Sequence, residues 1–239
     1  MEISLKPEIL TSFFGIPVSN SLVLSILTTL VLTGLGFFAV ASLKVIPGKL
    51  QNAVELILES ILSFFASALG SREQAEKFFP LVASFFLFIL FNNWLGVLPG
   101  TGSLEFRHVP LFRSANSDLN TTFALALVSV IAIQWYGVRK LGFLKHASKF
   151  FNFTHGPIQF FVGILEFIAE FAKVLSFSFR LFGNIFAGEV LLLIIMTLVP
   201  LLAPFPFFLL EFFVGFIQAL VFAMLTLIFL KVATETVEH

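Results

Sequence analysis

The chain has 239 residues, 58% hydrophobic and only 12% charged, with a formal net charge of zero. A soluble domain carries roughly 25% charged residues; with a mean hydropathy of +1.03, a large soluble core is excluded and a polytopic membrane protein is indicated. The neutral balance points to no nucleic-acid partner, and the lack of cysteine excludes disulfides and thiolate metal sites.

Residues 1–17 read as a polar arm broken by Pro7 and Pro17, with none of the features of a cleaved secretory signal. Residues 18–43 hold no charge and are long enough, at ~1.5 Å per residue, to cross a ~30 Å hydrocarbon core. Pro47–Gly48 ends this first span. In 49–69, Asn52, Glu55, Glu59, Ser63 and Ser67 recur at three- and four-residue spacing, with Ala53, Leu56, Ile57, Ile61 and Phe64 away from them. That pattern predicts an amphipathic helix lying in the interface rather than a weak spanning helix.

Ser71 to Lys77 reads as a charged turn and 78–98 as the second span, closed by Asn92, Asn93, Trp94 and then Pro99–Gly100. A polar loop with Glu105, Arg107, His108 and Arg113 leads to the third span, 118–138. Asp118 is placed either to cap that helix or to serve an ion path. His146 and His155 lack a third ligand at metal spacing and read as solvated loop residues. Asn152 or Thr154 can cap the helix that Pro157 opens. From there to 199 no proline interrupts the chain, giving a helix of ~64 Å, twice the bilayer core. One long, steeply tilted helix is expected in preference to a hairpin at Ser176–Ser178, which lacks a turn signal. Pro200, Pro204 and Pro206 make the next turn, and 207–232 forms the last long helix.

The expected fold is thus all-α and polytopic, with about five transmembrane helices and one interfacial helix. Lys44, Lys49, Arg72 and Lys77 fall on one side, and Arg139, Lys140, Lys145 and Lys149 on the same side two crossings later. Positive-inside logic then puts the N-terminus outside and the C-terminus inside.

Charge inside the last two helices is the informative feature. Arg180 has no acid within four residues and lies deep in an apolar run. A guanidinium stays protonated, and mid-membrane it costs at least ~2.5–3.5 kcal/mol. At 100° per residue, Glu166, Glu170, Lys173, Arg180 and Asn184 share one stripe, whereas Glu189 faces roughly the opposite way, ~13 Å further along. Glu211 and Gln218 share a face of the final helix. The Glu166–Glu170–Lys173 set also reads as an ion-paired helix end, but no Lys or Arg stands near Glu189 or Glu211 in the sequence. Acids on each side of a fixed cation describe two interrupted ion paths, because a continuous cation channel would not place a permanent positive charge in its middle. The carrier between them is absent from this chain, so a partner subunit is implied.

At these residues the sequence resembles the F-type ATP synthase subunit a family. SFSFRLFGNIFAGEVLL around Arg180, LLEFFVGFIQALVFAMLTLIFL around Gln218, PGKLQNAVE, NNWLGVLPG and SANSDLNTTFALAL carry the resemblance, which spans nearly the whole chain. It implies that Arg180 separates two half-channels and meets the carboxylate of a rotating c-ring. Asn184, Glu189, Glu211 and Gln218, with Asp118, Glu166 and Lys173, fall at the family's polar positions. Family members often have proline after the lysine; here it is Val174. The implied partners are the c-ring, peripheral-stalk b subunits and the rest of the F-type complex, in a bacterial plasma membrane, with H⁺ or Na⁺ as the transported ion and no cofactor or metal. A standalone secondary transporter is the alternative, yet neither an internal repeat nor a paired broken helix is visible.

Overall fold

The computed structural model describes residues 7–13, 15–41, 43–44, 47–98, 105–106, 109–143, 146, 157–199 and 203–235. Pro99–Gly100, Arg107, His108, Lys145, Lys149, Asn152, Thr154, His155, Pro200 and the last residues of the acidic tail lie outside the described residues.

The N-terminal segment, expected as an arm, instead contains an antiparallel hairpin of β1 (Ile9–Phe13) and β2 (Ile16–Ser19), in register from Thr11–Val18 to Phe13–Ile16. Gly15 makes the tight turn at φ 81°, where a residue without Cβ is favoured. Helix α1 (Asn20–Ala41) follows directly and buries only Asn20, Ser21, Leu24 and Thr28. Its outward apolar residues, such as Leu30, Phe37 and Phe38, are largely exposed.

Helix α2 (Lys49–Leu69) is closed by Gly70 at φ 72°, whose N–H donates to the Ala66 carbonyl at 2.9 Å. Only Phe65 and Leu69 of α2 are buried, so its last turns hold it to the bundle. Helix α3 (Arg72–Val97) begins earlier than the charged turn suggested. The Ser71 hydroxyl accepts from the Gln74 N–H, and Arg72 ties Glu76 one turn on (2.9 Å) to Glu59 of α2 (2.8 Å). A cap and a favourable i,i+4 pair turn a charged linker into the first turn of a helix. A short two-stranded ribbon, β3 (Glu105–Phe106) with β4 (Val109–Pro110), and a 3-10 turn at Ala115–Ser117 precede α4 (Leu119–Leu141). Helix α5 (Pro157–Leu198) runs 42 residues without interruption, and α6 (Pro204–Thr234) runs 31.

Six of these helices are long and apolar enough to cross a membrane. The chain is an all-α polytopic membrane protein. In lipid the driving force between helices is packing and interhelical hydrogen bonding rather than escape from water. The core follows that rule. Phenylalanines interlock where α3, α5 and α6 meet: Phe85 and Phe177 both lie on Phe222, with centroids 5.5 and 5.1 Å away. Small hydroxyls bridge the seams, Thr122 to Ser178 (3.1 Å) from α4 to α5 and Ser129 to Thr226 (2.9 Å) from α4 to α6. Thr28 of α1 donates to Asn92 of α3 at 3.1 Å. Each such bond contributes ~0.6 kcal/mol on average within a membrane, so together they set register more than they set stability.

His146 departs from its expected solvated position. It is buried, its Nε2 lies 2.6 Å from the Gln134 amide oxygen, and its ring covers Gly137. The missing side chain at Gly137 is what admits it, since a Cβ there would stand 2.7 Å from His146 Cε1.

Candidate ion-translocation site

Arg180 occupies the exposed face of α5. Its Nη2 donates to the Ser176 hydroxyl at 3.4 Å, and among the described residues no carboxylate pairs with it. Ala169, Ala172, Ser176, Gly183, Asn184 and Ala187 are exposed beside it, on an arc of roughly 120°. The cation therefore sits on a flat strip of small side chains. Gln218 of α6 reaches the same place: Arg180 and Gln218 line one small cleft with Phe177, Leu181, Phe222 and Leu225. The buried side of α5, with Phe177, Leu181 and Ile185, fixes this rotation of the helix against α6. Asn184 is exposed on the next turn after Arg180.

Toward the Asp118 end, Glu189 points into the bundle. Sequence proximity offered it no cation, but the fold does. Arg113, from the segment before the 3-10 turn, places Nε 3.2 Å from Glu189 Oε2 and 3.1 Å from the Ser117 hydroxyl. Its guanidinium also lies 6.0 Å from the Phe186 ring centroid. The two partners are 76 positions apart, which is why local spacing could not find the pair. Glu211 of α6 lies close enough to Glu189 for their charges to interact. It is only 5% exposed, and its Oε1 has no hydrogen-bond partner among the described residues. The Glu211 carboxylate rests on Gly188, where a Cβ would overlap its Oε2. Glycine at 188 is thus the condition for an acid at 211 to enter this seam.

Two further polar side chains, read from the sequence as helix-end and loop residues, are joined to each other and to α6. Asn116 donates to Asn93 Oδ1 at 2.7 Å, and Asn93 donates to the Gly215 carbonyl, one turn beyond Glu211, at 2.9 Å. The only sequence signal for them was the polar pair Asn92–Asn93 inside an apolar run. Asp118 is accounted for by structure. It caps α4 through the Asn120 N–H at 2.9 Å and accepts from Ser21 of α1 at 2.9 Å.

At the opposite end of α5, Lys173 pairs with Glu170 at 2.6 Å and sits 4.6 Å from the Phe229 ring centroid. Glu166 is exposed one turn before Glu170. The Glu166–Lys173 group and the Glu189–Glu211 pair are therefore not brought together. They stand at opposite ends, about 24 Å apart between Lys173 and Glu189 along the helix, with Arg180 between. Among the described residues no group of three or more His, Cys, Asp or Glu side chains is placed to hold a metal ion.

A bundle of membrane-length helices that spends charge at three heights of one helix is an ion-handling membrane protein rather than an anchor. Comparison with known proteins gives the family: residues 22–231 match the model of the ATP synthase A chain. Relatives named ATP synthase subunit a include those of Campylobacter concisus (36% identical, covering 89% of this chain and 88% of the relative) and Gloeobacter violaceus (38%; 86% and 80%). A third is that of Desulfotalea psychrophila (39%; 83% and 77%). The chain belongs to the ATP synthase A chain family.

Proposed function

We propose that this chain is the stator subunit that carries ions to and from the c-ring of a rotary ATP synthase through two offset half-channels, with Arg180 dividing them. The observation that carries the reading is the state of Arg180: a permanent charge on an exposed small-residue strip, with no acid paired to it among the described residues. Facing lipid such a cation is costly, and a carboxylate supplied from outside the chain removes that cost. An ion enters from the outer face past Glu189, Glu211 and Gln218 and neutralises a ring carboxylate, which then moves into the lipid. After a turn of the ring the ion leaves inward along the Arg180 stripe, past Glu166 and Lys173, while Asn184 stands with Glu189 on the other side of Arg180. The emptied carboxylate pairs with Arg180, so no ion crosses directly from one path to the other. The interfacial placement of α2, five crossings, an outside N-terminus, peripheral-stalk b subunits and a bacterial inner membrane belong to the same reading. It is supported by the two polar clusters that flank Arg180 along α5. A standalone transporter would need no partner at Arg180.

In vesicles carrying the whole complex, Arg180→Ala is expected to assemble yet lose ATP-driven ion pumping. Arg180→Lys should fail as well, because a desolvated lysine can shed its proton and lacks the planar fork. Normal pumping by Arg180→Ala would sink this function.

A further inference from the structure

The contact between Arg113 and Glu189 bears on which ion the outer path accepts. Two carboxylates, Glu189 and Glu211, interact across the seam between α5 and α6. The Ser117 hydroxyl faces Glu189 as well. The buried Glu211 Oε1 has no hydrogen-bond partner among the described residues. Two acids with a hydroxyl oxygen beside them make up the kind of donor set that holds a hard cation. One group prevents it. The Arg113 guanidinium lies against Glu189 and Ser117, with side chains of Arg113 and Glu189 only 16% and 22% exposed. Its charge cannot be removed by deprotonation.

We propose that Arg113 is a specificity-determining residue: it fills the place beside Glu189 that an alkali cation would take, so the outer carboxylates pass protons and exclude sodium. This rests on the half-channel reading above. A sodium ion must bring a whole charge next to the guanidinium, and a fixed arginine in a pore repels cations. A proton behaves differently. It forms an O–H bond on a carboxylate oxygen as it leaves water, and breaks that bond as it passes to the next carboxylate. The acid formed on the way is neutral and is not repelled. Replacing Arg113 by a neutral residue leaves two uncompensated acids beside the same hydroxyl, and sodium then competes with the proton there.

The test uses the intact ATP synthase in vesicles, with proton-driven ATP synthesis measured in sodium chloride against choline chloride at equal ionic strength. Wild type should be indifferent to sodium, while Arg113→Gln should be slowed about tenfold. Equal sodium responses in wild type and an assembled Arg113→Gln overturn the proposal, as does a wild type that requires sodium. Should Arg113→Gln fail to assemble, wild type alone decides through carbodiimide labelling of Glu189 and Glu211. Sodium is expected to give no protection, and protection overturns the proposal. The half-channel reading fails separately, if Arg180→Ala pumps normally.

Discussion

At the scale of single residues, the molecule separates charges by what each is allowed to touch. Among the described residues, Glu189 has Arg113, Lys173 has Glu170, and Arg180 has a hydroxyl at 3.4 Å and no carboxylate. Glu211 Oε1 has no hydrogen-bond partner among them, and the carboxylate owes its position to an absent side chain at 188. Gly188→Ala should push the Glu211 carboxylate out of the seam. Because the displaced atoms are the end of a flexible chain, the helices need not move. The expected outcome is normal amounts of subunit in the membrane but coupled transport lowered roughly ten- to a hundredfold, as misplaced catalytic groups commonly are. Transport rates and immunoblots on the same vesicles check both halves. The charged residues themselves were legible from sequence, because a charge in an apolar run has no innocent local explanation. Arg113 was not, since its role exists only once a loop is folded back over α5. Asp118 was half legible: the capping alternative was visible, but not the bond from Ser21 that joins α1 to α4.

At the scale of elements, helices meet where side chains are missing. Gly96 of α3 lies against Ser114, and a Cβ at 96 would stand 2.6 Å from Ser114 Cβ and 2.7 Å from its Cα. Backbone cannot step aside as a side chain can, so Gly96→Ala should destabilise the bundle by ~1–3 kcal/mol. Gly34 of α1 has nothing within 4 Å of the point where a Cβ would stand; Gly34→Ala should be neutral or raise helix stability by up to ~1 kcal/mol. Thermal unfolding in detergent, followed by circular dichroism, separates the two. Spans of uninterrupted apolar residues announced most of the helices. What periodicity could not supply was the hairpin of 9–19 and the helical start of α3. Both depend on a particular local device, Gly15 at positive φ and the Ser71 cap with its Arg72 pairs. The burial of His146 likewise depends on Gly137, nine positions away on another segment.

At the scale of the whole molecule, the Arg180 strip of α5 and the outward side of α1 are left exposed among the described residues. Gly183 sits on that strip with open space around it. Gly183→Phe should therefore leave the subunit's own helicity and detergent stability unchanged while lowering recovery of small ring subunits with it. Recovery equal to wild type, measured by affinity purification in mild detergent, would show that the strip is not the contact face. The same strip has a mechanical consequence. Large side chains of two helices lock into each other's hollows, and leaving such a lock means climbing out of a well. Ala169, Ala172, Ser176, Gly183 and Ala187 provide no knobs deep enough to make one. In the proposed function the surface around Arg180 is in that sense a bearing: it holds the moving ring by one charge and resists it with little friction.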